Sequence, residues 1–332
     1  MEIINFKLFL VPKPMKKHLY LILFLIGSLL RVLIPYLFIY LNGKEIPDDN
    51  KYKKIGLNKA LKQLLTKKYF EIIINILSAL FLGIPHFLNR LINKDENKII
   101  QVYNRNSQNF DFMKNGENEV LIMIKIIFII SFIDIICQLL IPVKYIIEVE
   151  FFDDIKSQNK SHLYFLLFFD IFARYCFSRL ILKTHFYIHH KLSFLLNIVG
   201  LIPITIVDIY VKILKKKEYN SFYVCIVSII VVLYSFEDIM NKVAYISLSI
   251  LPCSLLFYNG LFMLCYFIII SILFFLFGLY DFKNNFDIFF QIKYSLCYIP
   301  FNILRNYYIN KVIDTFSAQY IALLRVTEAI II

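Results

Sequence analysis

At 332 residues, 59% hydrophobic and only 18% charged, the chain departs from a soluble domain, which is typically about half apolar and about a quarter charged. The net charge of +12 sits on lysines in the links between apolar runs, not along one face. That speaks against nucleic-acid binding and matches the way membrane proteins carry cations beside their spans.

The N-terminal residues 1–17 carry Lys7, Lys13, Lys16 and Lys17. The first apolar run, Leu19 to Leu41, is too long for the core of a cleaved signal peptide and lacks a small-residue cleavage site, so it reads as a retained spanning helix. Arg31 lies inside it and is expected to snorkel or to pair with a neighbouring helix. A lysine-rich link, 42–69, follows. Its stretch Leu57 to Leu65 has apolar residues at helical spacing, as in a helix lying on a membrane surface. The second run is Tyr69 to Leu91, with Pro85 positioned to kink or end it. Residues 92–118 are rich in Asn, Lys and Glu and read as a mobile loop.

The third run, Val120 to Val143, has Asp134 at its centre. An acidic link holds Glu148, Glu150, Asp153, Asp154 and the sequon Asn159-Lys160-Ser161. The fourth and fifth runs form a hairpin, His162 to Lys212, joined by a polar elbow at 184–190. Asp170 and Arg174 interrupt its first arm; Asn197, Gly200 and Pro203 interrupt its second. After a basic patch come the sixth run (Phe222 to Ser247), a break at Pro252, the seventh (Leu255 to Leu279), the eighth (Phe289 to Tyr308) and the ninth (Phe316 to Ile332). Each is near the ~20 residues that span hydrocarbon as a helix, and their continuity argues against the alternating pattern of a transmembrane barrel. The expectation is therefore an all-α polytopic membrane protein of nine helices.

Orientation draws opposing signals. A cytoplasmic N-terminus places the sequon link in the lumen, but it also puts the lysine-rich 42–69 and 213–218 outside, against the positive-inside rule. We adopt it as the working orientation.

Ionisable groups at membrane depth cost about 2.5–3.5 kcal/mol on insertion scales, so each needs a partner or a watery cavity. Asp170 and Arg174 are four apart on one helix face, with Ser178 four further on. They read either as a self-neutralising structural pair or as a cavity wall whose Arg attracts an anionic group. Asp134 has no local partner; it suits a pairing with Arg31 or Arg174, or a proton carried in a coupled cycle. Glu237, Asp238 and Lys242 read as an interfacial cluster. Asn302 and Arg305, then Gln319 and Arg325, suit helix–helix contacts as well as ligand contacts. His185, His189 and His190 cluster at the elbow with no Glu or Cys to complete a zinc signature, and solvated headgroup-level histidines are the simpler reading. The six cysteines (Cys137, Cys176, Cys225, Cys253, Cys265, Cys297) lie in or beside apolar runs without a CxxC and read as small buried side chains. No catalytic motif is present: no G-x-S-x-G, P-loop, G-x-G-x-x-G or H-E-x-x-H.

Two stretches carry a family resemblance. FSRLILKTHFYIHHKLSFLLNIVGLIPI, Phe177 to Ile204, has a helix ending in Leu-Lys, a tight polar elbow, then a helix opening on a basic residue and closing on Gly. YSFEDIMNKVAYISLSILPCSLLFYNGLF, Tyr234 to Phe262, has an acidic residue, Asn-Lys, a spacer, Pro, then aromatic-Asn-Gly. Both resemble the drug/metabolite transporter superfamily, in its EamA-type and nucleotide-sugar-transporter-like branch.

The resemblance implies two inverted five-helix repeats, 1–212 and 213–332; only nine runs are visible, so the last helix of the second is missing or unrecognised. It also implies a central site near the midplane. The substrate-lining residues expected are Asp134, Asp170, Arg174 and Glu237, with Ser178, Tyr234, Asn302 and Arg305 as secondary candidates. The expected partners are the lipid bilayer of a eukaryotic endomembrane or plasma membrane and a polar organic solute, with no cofactor, metal or nucleic acid. The competing readings are a non-transporting scaffold or receptor and an intramembrane enzyme.

Overall fold

The computed structural model describes residues 13–41, 57–85, 87, 119–151, 169–184, ten positions between 188 and 210, 221–247, 250–279 and 288–316. Seven helices follow in chain order: α1 (Lys13–Leu41), α2 (Leu57–Phe81), α3 (Glu119–Phe151), α4 (169–180), α5 (Ser221–Ser247), α6 (Pro252–Leu276) and α7 (Ile288–Thr315). Among the described residues there is no strand, so the all-α expectation holds there. Three helices are long and apolar enough to cross a membrane, at Leu64–Pro85, Leu121–Lys144 and Pro252–Leu276, and His18–Ile34 is a shorter apolar helix. This is compatible with a membrane protein.

Several boundaries differ from the hydropathy reading. Leu57–Leu65 is not a separate surface helix: it continues into the second apolar run as one helix, α2. No Gly or Pro separates the two parts, and Leu, Lys, Ala and Gln all have high helix propensity. α3 runs through Pro142 to Phe151 and takes Glu148 and Glu150 out of the expected link. α7 likewise continues through Pro300 to Thr315.

Pro252 opens a helix instead of breaking one. It follows an extended Leu251 and occupies the first helical turn, where its missing N–H has no partner to lose. The same helix ends on Gly278, at φ 59°, with Gly278 N–H on Phe275 O (3.0 Å) and Leu279 N–H on Phe274 O (2.9 Å), the paired bonds of a Schellman cap. α4 ends where Lys183 takes φ 50° and Thr184 caps Ser178 O with both its N–H (3.3 Å) and its hydroxyl (3.1 Å).

The ten described positions of 188–210, Ile188 to Tyr210, are helical, exposed and on one helix face. They belong to the second arm of the expected hairpin. Most of its elbow with His185, His189 and His190 lies outside the described residues, as do His162, the 92–118 loop, the sequon and the ninth run beyond Phe316.

Packing has a regular plan. α1 lies against α7, α3 against α5, and α2 against α6; α3 also packs on α6, and α2 on α7. Exchanging α1 with α5, α2 with α6 and α3 with α7 maps this set onto itself.

The α2–α6 pair runs antiparallel: Tyr69 meets Phe267 (ring centroids 4.8 Å), Ala79 meets Gly260, and Gly83 meets Phe257. Any two-fold exchange of these two helices would have its axis perpendicular to them. Gly260 makes the crossing close, since a Cβ there would sit 2.8 Å from Ala79 Cβ. α1 and α7 are also antiparallel, from Tyr20–Tyr308 (6.2 Å) to Arg31–Tyr298. Gly27 lies against the Arg305 backbone, 3.1 Å from its N for an added Cβ. α5 and α3 are antiparallel too. The start of α5 (Ile226, Val227, Ile230) packs on Leu140 and Val143, and its end (Met240, Val243, Ala244) clusters with Ile122, Ile126 and Ile130.

The outward face of α6 is apolar: Ile268, Ile269, Ile272, Phe275 and Leu276 are at least half exposed.

Candidate functional site: a carboxamide-lined cavity

A cavity of about 370 Å³ opens between six helices. That is within the range of about 300–1,000 Å³ typical of small-molecule sites. Its wall is polar although the helices around it are apolar. Seven carboxamides face it: Asn75 from α2, Gln138 from α3, Asn241 from α5, Asn259 from α6, and Asn302, Asn306 and Asn310 from α7. Arg31, Lys68 and Arg305 supply cations, and Asp134, Glu237 and Asp238 supply carboxylates. Tyr234, Leu255, Met263 and Ile309 complete part of it.

Of the residues expected from the sequence, Asp134, Glu237, Tyr234, Asn302 and Arg305 lie on this wall. Asp170, Arg174 and Ser178 are not among its lining residues; they are buried on α4, with Arg174 fully enclosed. Arg174 Nε donates to Asp170 Oδ1 (2.9 Å), and its Nη1 donates to Asp238 Oδ2. Ser235 donates to Asp170 Oδ1 at 2.6 Å. The guanidinium is thus engaged by two carboxylates, and Asp238 joins this cluster to the cavity.

The expected interfacial cluster of Glu237, Asp238 and Lys242 separates. Asp238 turns to Arg174, and Glu237 faces the cavity. Lys242 Nζ donates to the carbonyls of Ile313 (2.9 Å), Asp314 (2.6 Å) and Phe316 (2.8 Å) at the end of α7. These are orphan carbonyls of a helix C-terminus, where a cation is favoured.

Asp134 takes neither arginine proposed for it. Arg31 donates to Tyr298 Oη, with its guanidinium 5.4 Å from the ring centroid, and Lys68 bridges to Glu71 (2.7 Å). Asp134 instead accepts from two amides, Gln138 Nε2 (3.1 Å) and Asn259. Gln138 Oε1 accepts from Asn75 Nδ2 (3.0 Å), and Asn75 Oδ1 accepts from Asn302 Nδ2 (2.8 Å). Asn302 also reaches Ser78 Oγ (3.2 Å), and Ser131 donates to Asn259 Oδ1 (2.6 Å).

The Asn302–Asn75 bond joins α7 to α2, and the Ser131–Asn259 bond joins α3 to α6. Under the helix exchange described above, these two bonds are counterparts.

Asn75, Gln138 and Asn259 did not emerge from the sequence as site residues. Their signal was a carboxamide in the middle of an apolar run, on each of three helices. No family model and no curated protein matches the chain.

Proposed function

We propose that this protein is a polytopic helical membrane transporter that moves a polar organic solute by alternating access, as in the drug/metabolite transporter superfamily it resembles. The observation that carries the reading is the polar cavity enclosed by helices whose outer faces are apolar. A buried wall of carboxamides is costly unless its groups are satisfied, and each offers both a donor and an acceptor to hydroxyls, amides or phosphoryl oxygens. The packing exchange supports two inverted repeats, because the axis relating α2 to α6 lies across the helices, in what would be the membrane plane. Rocking of one half against the other about the α2–α6 crossing would open the cavity to either side. Arg174 is engaged by Asp170 and Asp238, and the cations on the cavity wall itself are Arg31, Lys68 and Arg305.

Uptake into liposomes holding the purified protein tests this, with a panel of nucleotide sugars, amino acids and drug-like cations. At least one class should accumulate above protein-free liposomes, and Asn241→Phe, which fills the cavity, should abolish that uptake. Well-folded protein that accumulates none of the panel counts against transport. Uptake indifferent to Asn241→Phe overturns the site.

A further inference from the structure

The amide bonds around Asp134 all point one way. Asn302 donates to Asn75, Asn75 to Gln138, and Gln138 to Asp134. On the other side Ser131 donates to Asn259, and Asn259 to Asp134. Asn75, Gln138 and Asn259 each take a bond on the oxygen and pass one on from the nitrogen. Such a chain ends well on a group that only accepts, as the ionised Asp134 carboxylate does. Four helices (α2, α3, α6 and α7) are thereby tied to one negative charge.

A proton on Asp134 reverses that terminus. The neutral carboxyl carries a donor of its own where the ionised one only accepted, so the amide facing that oxygen loses its acceptor or turns its own oxygen inward. If Gln138 turns, its nitrogen meets the nitrogen of Asn75. Asn75 must then turn as well, which sets its nitrogen against that of Asn302. A local protonation thus propagates from α3 through α2 to α7 as a series of donor–donor conflicts.

A metal ion is a poor substitute for the proton. The two groups aimed at the carboxylate are amide nitrogens, whereas a hard cation needs oxygens.

The surrounding charges leave this carboxylate distinct. Lys68 faces the cavity from α2 but is bridged to Glu71. Arg31 of α1 donates to Tyr298, and Arg305 of α7 has its guanidinium 5.9 Å from the Phe24 ring. From α5 come Glu237 and Asp238, the latter bonded to Arg174 of α4, which also holds Asp170. α6 adds no charged residue to the wall.

We propose that Asp134 is the proton-binding site of this protein, and that loading it releases the α2–α3–α6–α7 arrangement seen here, coupling proton movement to the opening of the cavity. The use of that linkage in transport rests on the transporter reading; the linkage itself does not.

The full chain in lipid nanodiscs, without any substrate, suffices for the test. Infrared pH-difference spectra should show a protonated-carboxyl C=O band on acidification that Asp134→Asn removes. Amide exchange of α2 and α7, corrected for intrinsic rates, should be about fivefold or more faster at about pH 5 than at about pH 8, the equivalent of one lost hydrogen bond. Asp134→Asn should exchange fast at both. Asn302→Leu, which cuts the chain but keeps the carboxylate, should also exchange fast at both while retaining the infrared band. If Asp134→Asn does not fold, the wild-type response and Asn302→Leu still decide. Wild-type exchange unchanged by pH, or an acid response that survives in Asp134→Asn, overturns the proposal. A failed uptake screen would leave these results standing, and a failure here would leave uptake untouched.

Discussion

Arg174 is the side chain whose loss should cost this fold most. It is fully buried and bonded to two carboxylates, Asp170 and Asp238, which are 7% and 3% exposed. Replacing it with Met keeps the aliphatic length and removes the charge, leaving both carboxylates in place without their cation. Breaking a buried pair in this one-sided way costs about 3–5 kcal/mol. With an unfolding entropy of about 2.1 cal/mol/K per residue over 332 residues, that is a drop of roughly 4–7 °C in melting temperature. The assay is the fraction of monodisperse protein left after heating in detergent. Arg174→Lys should fall between, because an ammonium cannot span both carboxylates as a planar fork does. The triple change Arg174→Met, Asp170→Asn, Asp238→Asn should recover most of the loss, since removing every member leaves no buried charge. An Arg174→Met protein that melts with the wild type, or a triple variant no better than the single, refutes the assignment of Arg174 as the structural cation.

Other outcomes follow from close contacts. Gly260→Val should force α2 and α6 apart at the Ala79 contact, at a cost of about 1–3 kcal/mol, and Ala79→Gly should partly rescue it in the same melting assay. Gly278→Ala meets no atom within 4 Å, so its penalty is purely conformational; it should lower stability by about 1 kcal/mol, with Gly278→Asn milder. Lys242→Met should leave the carbonyls of Ile313, Asp314 and Phe316 without their cation, so that amide exchange in the last turn of α7 rises while α1 is unaffected.

Much of the helical plan was legible because it depends on local chemistry. The hydropathy of the runs and the Asp170–Arg174 spacing can both be read within a few residues. The misreadings share one cause. Hydropathy reports the surroundings of a helix, not its extent, so the lysines of 57–68 hid the first turns of α2, and Glu148 and Glu150 hid the last turns of α3. In the site, the pair Asp170–Arg174 was visible, but its third member, Asp238, is 64 residues from Arg174. Asp134 stood out as a charge without a partner. Its true partners are uncharged amides, Gln138 on its own helix and Asn259 on another, and a carboxamide in an apolar run gives no periodic signal.

The α1–α7 seam has a consequence for how the chain is made. The helix that seats Arg31 is made long after α1: Tyr298 lies 267 residues downstream. At about 5–20 residues per second, Arg31 waits roughly 13–50 s for its partner after it has itself been translated. Throughout that interval α1 presents Gly27 and a cationic side chain with nothing yet to close over them. α1 therefore cannot close its seam until α7 has been made, and any mishap in completing α7 leaves α1 as an open flank for quality control to recognise.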